Sequence, residues 1–340
     1  MMLLAVNPYF GKNLISFLLT FFQRIGEFLI GRIGMADLAS DEIQVLVLAL
    51  VAVAASLVGP FLILKKMTML ANSLSHTLLL GIVIAYVLLI PFQTGTEGHA
   101  HSISIQVLLI ASLVTALVTA VLTQWLVQVL KLQEDASTGL VFTTLFALGL
   151  VLVTIFTRNT HLGTEAIMGN VDALHIDDLK LILGIALFDF AVVLLFFKEL
   201  KITTFDPSFA TAQGIFSSWC NYLLMVLTSA TVIGAFRAVG VLLVLAFLVA
   251  PPLTARLFTH RLKNLLLLSM GIGVLASLFS VALARHLLSV HQLPVSTSGL
   301  VATVLGGIYF LCLIFVWLRK EMVHRGSENN VKTQRKIKNF

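Results

Sequence analysis

The chain has 340 residues, 59% of them hydrophobic and 11% charged. Soluble domains carry about 25% charged residues, so a water-soluble globular protein is excluded and an integral membrane protein is indicated. The net charge is +6, but the excess sits at the ends of apolar runs and in the C-terminal tail, a distribution that orients a membrane protein and does not describe a nucleic-acid surface. The two cysteines, Cys220 and Cys312, lie in or beside apolar runs and form no CxxC pair, which argues against a disulfide or zinc framework.

Residues 1–42 form an N-terminal segment without the basic lead and small-residue cleavage site of a secretory signal. Within it, Ser16, Thr20, Gln23, Glu27 and Gly31 recur at helical spacing between Phe, Leu and Ile. The pattern over 14–33 predicts an amphipathic helix on the membrane surface, with an extra span as the alternative. A spanning helix needs about 20 apolar residues. Such runs follow at 43–64, 67–90, 104–130, 138–157, 179–198, 218–236, 238–258, 264–284 and 299–318. The division at Arg237 is the least defined, so the expectation is an all-α, polytopic domain of eight or nine membrane helices over residues 43–320. Residues 321–340 form a basic tail whose composition, from Gly326 on, predicts disorder.

Lys65, Lys66, Lys131, Lys198, Lys201, Arg256, Arg261 and Lys263 fall on one side of this arrangement, together with the tail. Lys and Arg favour the cytoplasmic side, which makes this side the cytoplasm and starts the first run outside.

The second run carries Asn72, Ser73, Ser75 and His76. Ten residues beyond Lys66, at 1.5 Å rise each, His76 stands about 15 Å inward, near mid-bilayer. Asn72 and His76 are four apart and share a helix face. Neutral imidazole is a ligand for zinc, manganese or iron; a hydrogen bond to a neighbouring helix is the plainer explanation. Asp189 stands mid-run in 179–198, where a charge costs about 2.5–3.5 kcal/mol on insertion scales. It must pair, face the interior or be protonated, and structural and pathway roles are both open.

Two outer loops are rich in ligand types. In 91–103, Glu97, His99 and His101 form a pattern that collects a divalent cation or is simply solvated, and His161, Glu165 and His175 in 158–178 read the same way. In the inner loop, Asp206-Pro207 predicts a capped short helix over about 208–216. Neither HExxH nor GxxxxGK[ST] occurs, which disfavours a metalloprotease of that type and places any ATP binding on another chain. Gly271-Ile272-Gly273 lies within an apolar run and predicts helix packing.

Four elements then occur in order. Lys65-Lys66 leads into Ala71-Asn72-Ser73-Leu74-Ser75-His76-Thr77. Glu134-Asp135-Ala136 is followed by Gly139, Leu140 and Phe142. Phe205-Asp206-Pro207-Ser208-Phe209-Ala210 runs to Gly214. Val239-Gly240-Val241-Leu242-Leu243-Val244 runs to Pro251, Thr254 and Ala255. Over about residues 43–320 the chain resembles the permease subunits of the ABC-3 family, transporters of zinc, manganese or iron. The resemblance implies an ABC importer permease architecture in a bacterial cytoplasmic membrane. It implies cytoplasmic ATP-binding subunits, an extracytoplasmic metal-binding protein and a second permease chain, identical or paralogous. It also implies no covalent chemistry and no permanently bound cofactor, the metal being cargo. Residues 203–217, with Phe205, Asp206, Pro207, Phe209 and Gly214, would form the coupling segment, assisted by Glu134 and Asp135. Asn72, Ser75, His76 and Asp189 are the candidate metal pathway. Two departures stand out: Asn72 replaces the family's Asp, and Leu80 replaces a Pro that often follows. An ion-coupled secondary transporter using His76 and Asp189 is the competing reading.

Overall fold

The computed structural model describes residues 8–9, 11–32, 34, 37–89, 105–156 and 171–338. Among these residues every regular element is a helix. The helices are α1 Leu14–Leu29, α2 Ser40–Leu64, α3 Thr68–Leu89, α4 Ile105–Val129, α5 Glu134–Phe156 and α6 Ile176–Leu195. They continue with α7 Phe197–Phe205, α8 Pro207–Ala212, α9 Ser217–Val239, α10 Val241–Phe258, α11 Leu262–His291 and α12 Thr297–Lys338. A 3-10 turn, Val171–Ala173, precedes α6.

Each apolar run of the sequence is helical, the fifth being divided between α6 and α7. Among the described residues five helical stretches are long and apolar enough to cross a membrane: Ser40–Leu64, Asp135–Ile155, Ser217–Phe236, Leu262–His291 and Thr297–Glu321. α6 and α7 together make a sixth if counted as one broken span, bent by 70°. Leu113–Val129 and Leu242–Phe258 are shorter apolar stretches.

α2 is the axis of the molecule. It packs against α6, α9, α10 and α11, and 72% of its apolar window is buried, against 17% for α5 and for α12. Val47, Leu48, Val51, Phe61 and Leu62 of α2 share the main core with Leu224, Phe247 and Leu248. α3, α4 and α5 form a second group, with a small cluster of Val83 and Val153 against Val87, Phe146 and Leu152. α9 touches both groups. Close backbone approach replaces side-chain bulk at several crossings: a Cβ on Gly59 would stand 2.3 Å from the Leu248 carbonyl, and one on Gly273 2.9 Å from the Ala52 Cβ. Gly273 therefore serves helix packing, while Gly271 meets open space.

The boundaries differ from the sequence expectation at four places. The sixth and seventh runs part at Gly240, not Arg237; Gly240 sits at φ +82, a conformation glycine tolerates without a Cβ clash. The fifth run breaks at Phe196, after which α7 turns by 70°. The capped helix α8 stops at Ala212, short of 216, because the chain reverses through Gly214 at φ +79. Finally, α12 is helical to Lys338, where disorder was expected. Its 42 residues span about 63 Å at 1.5 Å each, about twice the hydrocarbon thickness. Beyond the apolar part, Glu, Met, Lys, Arg and Gln are helix formers that sustain it.

α1 has 16 residues, about 24 Å of helix, less than the about 30 Å core of a bilayer. It packs on α11. Tyr9, Phe17 and Phe21 are buried beneath it, while Ile15, Leu19 and Phe22 face outward.

Candidate functional site

α3 begins after Lys66, which takes the left-handed conformation at φ +61 and turns the chain back into the bundle. Asn72 and His76 then lie half-buried on one face, and Ser73 and Thr77 are buried. The His76 ring rests against Phe142 and Phe146 of α5, with centroid distances of 5.3 and 5.6 Å. At the next position, the Thr119 hydroxyl of α4 donates to Thr77 Oγ1 at 3.1 Å. Among the described residues the buried Ser73 hydroxyl has no hydrogen-bond partner. The side chain of Ser75 lies outside the described structure, as do Glu97, His99, His101, His161 and Glu165. No group of three His, Cys, Asp or Glu assembles among the described residues. Among the described residues the α3 stretch presents one imidazole and one amide, nitrogen and oxygen donors of the kind divalent transition metals accept.

Asp189 is fully buried. Its Oδ2 accepts from the Thr231 hydroxyl at 2.6 Å, tying α6 to α9, and its Oδ1 has no partner among the described residues. The structure does not bring it beside His76, whose ring contacts are to α5.

Lys65 and Lys263 mark one end of the bundle. Lys65 Nζ donates to Asn221 Oδ1 at 2.7 Å, Gln128 to Ser218 at 3.3 Å, and Lys263 Nζ stands 6.0 Å from the Phe197 ring centre. α8 lies at this end. Asp206 Oδ1 accepts from the Phe209 N–H at 2.9 Å and Pro207 opens the helix, the cap-and-proline arrangement that the sequence predicts. Phe205, Phe209 and Phe216 are 56%, 51% and 78% exposed. Asp135 lines a small space with Met67, Thr123, Gln124 and Met225; the Glu134 side chain is outside the described structure.

The opposite end holds charged pairs that sequence reasoning missed. Arg285 Nε donates to Asp41 Oδ1 at 3.0 Å, and the Thr297 hydroxyl to Asp172 Oδ1 at 2.5 Å. Glu42, buried, accepts from the Tyr9 hydroxyl at 2.7 Å and from Arg24 Nε at 2.5 Å. Burial, with the Glu42 carboxylate alongside, pushes the Tyr9 hydroxyl well above the usual phenol range and keeps it a donor. The available signal was acidic residues opening one apolar run and an arginine closing another.

A helical bundle with a polar station along one apolar helix, and an exposed capped helix at its basic end, defines a multi-pass membrane transport protein. Residues 42–316 match the ABC 3 transport family, and the chain belongs to that family. It is 39% identical to a "probable metal transport system membrane protein" of Chlamydia trachomatis, over 95% of this chain and 98% of that one. It is 34% identical to the manganese transport system membrane protein MntD of Bacillus subtilis, over 78% and 88%. It is 32% identical to the zinc transport system membrane protein TroD of Treponema pallidum, over 80% and 72%. Among solved structures, PsaBC from Streptococcus pneumoniae in complex with Fab superposes with TM-score 0.65 at 25% identity, covering 85% of this chain and 95% of that one.

Proposed function

We propose that this chain is the membrane-spanning subunit of an ABC importer that carries a divalent transition metal, zinc, manganese or iron, across a bacterial cytoplasmic membrane. The Asp41 end faces outward and receives the ion from an extracytoplasmic binding protein. Asn72, Ser75 and His76 line the pathway together with a second permease chain. Asn72 offers a carbonyl oxygen without a negative charge, so the ion is held weakly, and a conducting site must release what it binds. Asp189 serves as the α6–α9 tie. At the basic end, ATP-binding subunits dock on Phe205 to Gly214 beside Asp135, and their closure rocks the helices between two arrangements.

The observation that carries this reading is α8, a capped helix that leaves three phenylalanines at its margins exposed at the basic end. Its cap and its aromatic surface suit insertion into a partner's groove. The names of the relatives support a metal as the cargo. The test pairs uptake with association in cells expressing the whole system. Wild-type chain should co-purify with an ATP-binding subunit and raise zinc, manganese or iron uptake. Replacing Asp206 and Phe209 by Ala should reduce both together. Uptake that persists with no ATP-binding subunit present would overturn the reading.

A further inference from the structure

α3 and α4 meet along a seam of small and hydroxyl residues. Gly81 packs against Thr115. Four residues earlier on α3, Thr77 accepts from Thr119, four residues later on α4. The next step in this antiparallel register sets Ser73 across from Thr123. Each is 2% exposed, yet neither hydroxyl has a hydrogen-bond partner among the described residues. A buried hydroxyl left unpaired is costly, so the seam has a break here that a small ligand would mend.

The break has room. Thr123 lines a cavity of about 10 Å³ between the start of α3 and α4, α5 and α9, with Met67, Gln124, Asp135 and Met225 also in its lining. Gln124 lies one turn from Gln128 and Met225 one turn from Asn221, which bond Ser218 and Lys65 at the basic end. The cavity therefore sits about one turn inside that end, and the exposed Asp135 links it to solvent. Leu70, another lining residue, precedes His76 by about 9 Å along α3.

Size and chemistry restrict the ligand. The room is that of about one water, too small for a hydrated ion or an organic molecule. The lining offers hydroxyl, amide and carboxylate oxygens beside two methionines, and no Lys, Arg or His among the described residues. Magnesium gives up its waters reluctantly, and calcium takes about six to eight oxygens. A first-row transition ion that has shed its water accepts mixed oxygen and sulfur donors.

We propose that this cavity is an inner cation station, where a dehydrated transition-metal ion leaving His76 is held by Thr123 and Gln124 before it passes Asp135 to the cytoplasm. The station rests on the reading of this chain as a metal transporter, and not on how transport is driven. The Thr123 hydroxyl supplies an oxygen where the ion would otherwise meet an apolar wall.

The test measures manganese and zinc uptake by cells expressing the whole system at matched membrane abundance, with thermal unfolding of the purified full chain in nanodiscs. Thr123→Val removes a hydroxyl that has no protein partner to lose, so the unfolding temperature should hold. Uptake should fall about fivefold, the scale of one lost hydrogen-bonding oxygen. Thr123→Cys places a thiol in the station, and Cd²⁺ should then block uptake at about one-tenth the concentration that blocks wild type, whose own Cys220 and Cys312 serve as the control. Wild-type uptake by Thr123→Val, or wild-type Cd²⁺ sensitivity in Thr123→Cys, overturns the proposal. A lowered unfolding temperature in Thr123→Val overturns it too, since that is the mark of a structural water alone. His76→Ala chains that lose uptake while the Thr123 variants keep it would overturn the station and leave the transport reading standing. Uptake that needs no ATP-binding subunit would strike the importer reading and leave the Thr123 comparison valid.

Discussion

Around α2 the helices are locked by large buried side chains and by charged pairs at one end, with Glu42 gripping Tyr9 and Arg24 and Asp41 gripping Arg285. Around α3 the means are lighter: a threonine pair between α3 and α4, a glycine contact at Gly81, and an imidazole resting on two phenylalanines. Membrane helices associate through close packing and modest hydrogen bonds, since lipid gives apolar side chains no incentive to cluster. The α3 group follows that rule closely, and it is also where the polar stretch runs. Contacts of this kind, as the described residues make them, let one helix slide on another, which is what the proposed pathway wall requires. The α2 group supplies the fixed frame.

That contrast can be broken by substitution. The largest effect is expected for Glu42→Ala, which strands a buried phenol and the part-exposed Arg24 guanidinium; each group left unpaired costs about 1–3 kcal/mol, and membrane abundance and thermal stability should fall sharply. Gly59→Leu forces a side chain against the Leu248 backbone carbonyl and should cost about 1–3 kcal/mol or more, seen as a lower unfolding temperature. Asp206→Ala removes the α8 cap, worth about 1 kcal/mol, and should weaken association with an ATP-binding subunit while leaving global unfolding nearly unchanged. Thr119→Val removes the bond to Thr77, worth about 0.6 kcal/mol in membrane proteins, and should barely alter stability. A Thr119→Val chain as unstable as Glu42→Ala would erase the distinction between frame and moving wall.

How much the sequence disclosed depended on how local the cause was. The apolar runs were legible because each helix needs its own stretch of about 20 apolar residues. The α8 cap was legible because Asp206 and Phe209 lie three positions apart. The shared face of Asn72 and His76 followed from helical spacing alone. The Phe142 and Phe146 rings that receive it did not, since they come from another helix. The Asp41–Arg285 pair spans 244 positions, and nothing in either neighbourhood names the other. Gly240 escaped notice because composition is apolar through the break and Arg237 offered a more conspicuous division; only the backbone conformation distinguishes the two. The bend at Phe196 has no breaker residue to announce it.

The central claim is that the α3 stretch is the metal pathway. The most direct measurement compares zinc, manganese and iron uptake by cells carrying wild-type chain and His76→Ala at matched membrane abundance. Uptake by the variant should fall to the level of cells lacking the chain. Unchanged uptake at matched abundance would contradict the claim and leave His76 as a packing residue of the α3–α5 contact.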